Sequence, residues 1–139
     1  MTPAPPLFLR PRLVGLVALG GAIGTGIREA LALTWPAATT GFPLTILLIN
    51  VVGSFALGLL LESLTRQGAD EGGRRNSRLF VGTGVLGGFT TYSSWVTDVA
   101  TRLGPAPGVA LAYAAASLVL GLVAALAGIA LAARLRPTS

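Results

Sequence analysis

Hydrophobic and polar positions divide the chain into four apolar runs separated by short polar gaps. The first run extends from Leu13 to about Leu33, broken only by Arg28 and Glu29 near its far end. The second covers Leu44 to Leu61, the third Leu79 to about Ala100, and the fourth Val109 to Ala133. Each reaches or approaches the roughly 20 residues needed to cross a hydrocarbon core. The gaps hold helix breakers: Trp35-Pro36 and Phe42-Pro43, then Gln67 to Ser77 with its three glycines, then Gly104-Pro105 and Pro107-Gly108. A signal peptide is not the reading of the first run, because Arg28 lies inside it and three more spans follow. The pattern predicts an all-α membrane protein, one domain over residues 1–139, with four transmembrane helices.

Composition agrees. The 139 residues are 53% hydrophobic and 11% charged, with a mean hydropathy of +0.76, outside the range of ordinary soluble domains. Cysteine and histidine are absent, which removes disulfides, thiolate metal sites and the usual near-neutral proton relay. All ten basic residues are arginines. They sit in the gaps between apolar runs, so the net charge of +5 points to bilayer anchoring and not to nucleic acid. Arg10, Arg12, Arg66, Arg74, Arg75, Arg78, Arg134 and Arg136 fall on one side, against Arg28 and Arg102 on the other. The positive-inside rule then places both termini and the middle loop in the cytoplasm, in a multi-pass protein of the cell membrane.

Small residues recur four apart: Gly20 and Gly24, Ser54 and Gly58, Gly84 and Gly88, Ala124 and Gly128. Such stripes let helix backbones approach closely. Bundle packing accounts for most of them, and their number suggests that some face a second subunit.

Polar residues inside the spans carry the candidate chemistry. Asn50 lies mid-span, where an unpaired carboxamide is costly, so it either bonds a neighbouring helix or faces water. Ser54 follows one turn later, with a bond back to its own helix as the plainer alternative. The third span contains Gly87-Gly88-Phe89-Thr90-Thr91, a poor helix at mid-depth, and predicts a break near Gly87–Thr91. Backbone groups freed there must be buried in protein or line a cavity, and freed carbonyls suit a cation. Tyr92 and Trp95, three apart, share a helix face, where ring edges attract an anion or form an interfacial belt. Tyr113, Ser117 and Gly121 form a ladder on the fourth span, with packing as the alternative. No span carries a carboxylate at its centre, since Glu29, Glu62 and Asp98 lie near span ends. Amide, hydroxyl and aromatic groups without a carboxylate suit a small hydrogen-bonding anion better than a cation. No nucleophile–base pair, zinc ligand set or phosphate loop is visible, so the chain is not read as an enzyme.

These residues resemble the Fluc (CrcB) fluoride channels. The resemblance rests on Gly20-Gly21-Ala22-Ile23-Gly24 with Arg28, on the second-span segment from Pro43 through Asn50 to Phe55, and on Gly87-Gly88-Phe89-Thr90-Thr91-Tyr92-Ser93-Ser94-Trp95. It implies passive fluoride export through two pores between antiparallel subunits of a dimer. It further implies that Asn50 and Ser54 line the pore, that Tyr92 and Trp95 take the places of paired phenylalanines, and that Tyr113 and Ser117 form a polar track. Gly87 and Thr90 would give main-chain carbonyls to a structural sodium ion at the dimer centre, and Arg28 would sit at a vestibule. This sequence departs from the pattern in having Tyr92 and Trp95 where the family has phenylalanine. Its steep arginine bias fits those members that pair with an oppositely oriented paralogue. Two rival classes stand beside this reading. A small multidrug-type exporter expects a carboxylate in the first span, and Leu13 to Ile27 has none. A non-transporting assembly subunit has no need of clustered mid-span polar groups.

Overall fold

The structure is a computed structural model describing residue 6 and residues 10–135. Arg136, one of the eight arginines counted on one side, lies outside the described residues. Among the described residues the chain forms helices and no strands. In order these are α1 (Pro11–Thr34), α2 (Leu44–Arg66), α3 (Gly72–Ser77), a π-helical stretch (Arg78–Leu86), α4 (Gly87–Phe89), α5 (Tyr92–Leu103) and α6 (Pro107–Arg134). Both α1 and α6 begin with proline, whose missing N–H is no loss at a helix start.

Three helices, α1, α2 and α6, are long and apolar enough to cross a membrane. The third predicted span is a bent helix: residues 72–89 run as one rod, and α5 resumes after a break. Helix α2 runs past Leu61, the end of its apolar run, because Glu62 and Arg66 pair one turn apart at 2.6 Å and carry it through a polar turn. Large apolar side chains such as Leu118, Leu122 and Leu126 remain exposed, as expected where the surrounding solvent is lipid.

The break is narrower than its predicted range. Gly87 and Gly88 stay helical, and the chain turns extended only at Thr90 (φ −75°, ψ 155°) and Thr91 (φ −149°, ψ 127°). The threonines are the cause. Thr90 sends both its N–H and its Oγ1 back to the Leu86 carbonyl, at 2.9 and 2.8 Å, closing the first segment. Thr91 Oγ1 then accepts the Ser94 N–H at 3.1 Å and caps α5.

The glycine stripes are largely consumed within the chain. A Cβ on Gly20 would collide with the Phe80 carbonyl, one on Gly24 with the Val85 carbonyl, and one on Gly88 with the Gly21 carbonyl. These contacts, with Gly84 against Gly20, seat α1 against the bent helix. Gly58 lies against Ala125 and Gly128 against Phe55, which locks α2 onto α6. The expectation that some of these stripes face a second subunit is therefore corrected for all six glycines, whose partners are in the same chain. Close backbone packing replaces the hydrophobic drive that lipid removes.

At the end of the molecule holding the α1–α2 connection, Arg102 is 3% exposed. It bonds the Ala38 and Gly41 carbonyls at 3.1 and 2.8 Å and pairs with Asp98 at 2.7 Å. Arg102 thus pins that loop onto α5. At the opposite end Arg78 forks onto Asp70 at 3.0 and 2.7 Å, and this hydrogen-bonded pairing holds the Asp70 carboxyl below its ordinary range.

Candidate functional site

Helix α2 brings Asn50 beside the break, and the two are joined there. Asn50 Nδ2 donates to the Thr91 carbonyl at 3.1 Å, and Asn50 Oδ1 accepts the Thr91 N–H at 2.9 Å. In an unbroken helix the Thr91 N–H would bond the Gly87 carbonyl four residues back, so this bond releases that carbonyl. Of the two readings of Asn50, the interhelical bond is made. The amide carries a second Nδ2 hydrogen beyond the one given to Thr91.

An open groove of about 420 Å³ adjoins this clamp. Asn50, Ser54 and Leu57 from α2, Gly87 from α4, Thr90 and Thr91 from the break, Tyr92 and Trp95 from α5, and Ser117 and Leu118 from α6 form its walls. Seven of the sequence-predicted residues thus meet in one place: Asn50, Ser54, Gly87, Thr90, Tyr92, Trp95 and Ser117. No carboxylate is among the lining residues. The Tyr92 and Trp95 rings lie 5.4 Å apart at 38°, so the shared face read from their spacing is present. Tyr92 is largely exposed.

Two donors belong to residues that line the groove and are themselves enclosed. Trp95 Nε1 is enclosed and makes no hydrogen bond among the described residues, and Ser117 Oγ is enclosed with the Tyr113 hydroxyl, one turn back, as its interacting neighbour. Leaving such a group unpaired costs about 1–3 kcal/mol.

Two expected members stand apart from the groove. Tyr113 is fully buried and meets Phe42 edge-on, centroids 5.6 Å apart at 88°, with its hydroxyl enclosed. It underlies Ser117 by one helical turn without lining the groove. Arg28 lines a separate open cavity of about 380 Å³ together with Glu29, Ser94 and Asp98. It braces the break from the α1 side: Nε reaches the Gly88 carbonyl at 3.4 Å, and NH1 reaches Ser94 Oγ at 3.0 Å. Glu29 pairs with it at 3.0 Å, so its charge is shared with a neighbouring carboxylate. Thr25 Oγ1 also reaches the Gly88 carbonyl, at 3.3 Å.

Sequence reasoning missed Thr91, which both caps α5 and receives the Asn50 clamp. A signal was present, a threonine three residues before Ser94 at the start of a helix. It also missed Arg102 and the bracing side of Arg28, whose partners lie about 60 residues away in sequence.

Comparisons with known proteins place this arrangement in a family. The family described as "CrcB-like protein, Camphor Resistance (CrcB)" matches residues 15–129. A protein of Leifsonia xyli subsp. xyli named "Fluoride-specific ion channel FluC 2" is 48% identical over 133 residues, covering 92% of this chain and 88% of that protein. "Fluoride-specific ion channel FluC" of Deinococcus radiodurans is 51% identical over 122 residues, covering 86% of this chain and 94% of its own. A Thermus thermophilus protein of the same name is 47% identical over 115 residues, with 81% and 89% covered. Matched through all four of its predicted spans, the chain belongs to the CrcB family.

Proposed function

We propose that this chain is a fluoride channel of the cell membrane, conducting the ion passively along the groove at the break. The observation that carries the reading is a groove walled by residues with N–H and O–H donors, Asn50, Trp95 and Ser117 among them, and with no carboxylate in its lining. A fluoride ion shedding water needs donors to replace it, and Trp95 Nε1, Ser117 Oγ and the second amide hydrogen of Asn50 supply them. The Thr91 clamp keeps the Asn50 amide oriented, so no reorganisation is required when the ion arrives. Ser54 adds a hydroxyl to the wall, and the Tyr92 and Trp95 ring edges add positive quadrupole. Tyr113, beneath Ser117, backs the track. Arg28 braces the break near one mouth.

Proton-coupled export is disfavoured by the same geometry. The span carboxylates Glu29, Glu62 and Asp98 are each ion-paired, to Arg28, Arg66 and Arg102 respectively.

The groove is open on one side, and a second subunit in antiparallel orientation is the reading that closes it into a pore. A structural sodium ion at the dimer centre fits the residues present, with the Gly87 and Thr90 carbonyls as the groups that would hold it. Support comes from the Thr91 N–H, which goes to Asn50 instead of the Gly87 carbonyl, and from the extended backbone at Thr90. Gly87 also differs from the packed glycines: a Cβ there would meet only the Gly82 carbonyl, at an ordinary 3.8 Å. The fold of this chain does not require that glycine, but a close approach from outside would. Such an ion would supply fixed positive charge between subunits. The arginine bias favours cytoplasmic termini and an oppositely oriented paralogue as the partner.

Fluoride efflux from liposomes holding the purified protein tests the proposal. Efflux selective for fluoride over chloride is expected, and fluoride retention equal to that of protein-free liposomes would refute it.

A further inference from the structure

Away from the groove, a second pocket lies where α1 begins and α3 turns. It encloses about 230 Å³ and is lined by Arg10, Arg12, Leu13, Gly72, Arg75 and Asn76. The two segments are well separated in sequence, so the cluster exists only in the folded chain. Three of the six lining residues are arginines, and none is acidic.

One of these arginines has an N–H without an acceptor, although Asp70 lies near enough to act on its charge. Arg75 Nε is enclosed and has no hydrogen-bond partner among the described residues. Its neighbours along the helix are engaged: Arg74 Nε donates to the Ala69 carbonyl at 2.8 Å, and Arg78 forks onto Asp70. An unpaired guanidinium N–H is costly, and an acceptor entering the pocket would relieve it.

The start of α1 adds to the demand. Arg10 occupies the cap position without a side-chain cap, and its carbonyl takes the N–H groups of Leu13 and Val14 at 3.0 and 3.1 Å. No acidic residue stands in the first turn, so α1 itself supplies no negative charge at its positive end. Leu13, 7% exposed, marks where the apolar span begins. The pocket therefore sits just beyond the hydrocarbon-crossing part of α1, at the depth of lipid headgroups.

We propose that this pocket binds a phosphate oxyanion, held by the Arg75 and Arg12 guanidinium groups with Asn76 as a further polar contact. Planar guanidinium forks match phosphate oxygens two at a time. The site shares no residue with the groove, and its occupant is a ligand in addition to the transported ion. Two sources carry this chemistry: the headgroup of an anionic phospholipid, and free inorganic phosphate.

Native mass spectrometry of the purified full chain distinguishes them. The protein is incubated with phosphatidylglycerol or with phosphatidylcholine, each with and without millimolar inorganic phosphate. Arg75→Gln and the exposed-site Arg12→Gln are compared with Arg134→Gln, which removes an arginine outside the pocket. Phosphatidylglycerol retention is expected to fall about five- to tenfold in each pocket variant and to stay near wild type in Arg134→Gln. Retention that resists inorganic phosphate assigns the site to lipid, and retention displaced by it assigns the site to the free anion. Equal retention by wild type and both pocket variants, with no effect of phosphate on any of them, overturns the proposal. So does an equal loss in all three variants, which would mean general charge attraction in place of a site.

Discussion

Asn50 grips both backbone polar groups of Thr91, donating to its carbonyl at 3.1 Å and accepting from its N–H at 2.9 Å. A side chain of α2 thereby substitutes for the helical bonds that the third span gives up. One residue holds the break open and presents a spare donor beside it.

Asn50→Asp should abolish measurable fluoride efflux. The carboxylate keeps an acceptor for the Thr91 N–H but sets an oxygen against the Thr91 carbonyl and removes the spare donor. The structure adds a stability cost of about 1–3 kcal/mol for the unpaired carbonyl, which a membrane-pore role alone would not predict. Liposome efflux and thermal unfolding in detergent, measured together, check both parts. Wild-type efflux by the Asp variant would remove Asn50 from the ion path.

Trp95→Phe and Ser117→Ala should separate function from stability. Trp95→Phe deletes an enclosed donor with no partner among the described residues, so the folded state should gain up to about 1 kcal/mol, whereas Ser117→Ala also removes the neighbour of the Tyr113 hydroxyl and should leave stability within about 1 kcal/mol of wild type. Fluoride flux should fall by about tenfold in each, as one hydrogen bond to the ion is lost. Loss of stability alongside unchanged flux would show that these donors serve the protein and not the ion.

Gly87 and Gly88 should behave differently despite being adjacent. A Cβ on Gly88 strikes the Gly21 backbone, so Gly88→Ala should destabilise the chain by about 1–3 kcal/mol through overpacking. Gly87→Ala should leave the chain folded and weaken subunit association or its response to sodium. Size-exclusion mass measurement, in sodium and in a large organic cation, reads the second effect. A Gly87→Ala protein that assembles and conducts as wild type in both buffers would argue against a close partner at that position.

Arg102→Met should cost about 3–5 kcal/mol, because Asp98 and two loop carbonyls lose a common buried partner. Thermal unfolding measures the cost. A change within 1 kcal/mol, by the ~1 kcal/mol ceiling for exposed pairs, would show that the pairing is solvent-screened.

Reporters fused to the C-terminus, each active on only one side of the membrane, test orientation at low expression. Signal from the cytoplasmic reporter alone is expected from the arginine bias, and with it a requirement for an oppositely inserted partner. Comparable signal from both reporters would restore dual insertion and a homodimer.

The membrane spans were legible in the sequence because hydrocarbon imposes a one-dimensional rule, about 20 apolar residues per crossing. Asn50, Ser54, Trp95 and Ser117 stood out for the related reason that polar atoms are costly inside such runs. Their convergence on one groove was not legible, since it depends on how α2, α5 and α6 pack around the break. The position of that break shows the limit best. Propensity marked the whole stretch Gly87–Thr91, glycines and β-branched threonines alike, yet Gly87 and Gly88 stay helical, with α1 packed closely against the rod at Gly88. Within that stretch the chain opens only at Thr90 and Thr91, where Asn50, some 40 residues distant, supplies hydrogen bonds to the Thr91 backbone. Local propensity registers only what a residue costs by itself. Which backbone bonds are forfeited depended on partners that only the tertiary structure brings within reach.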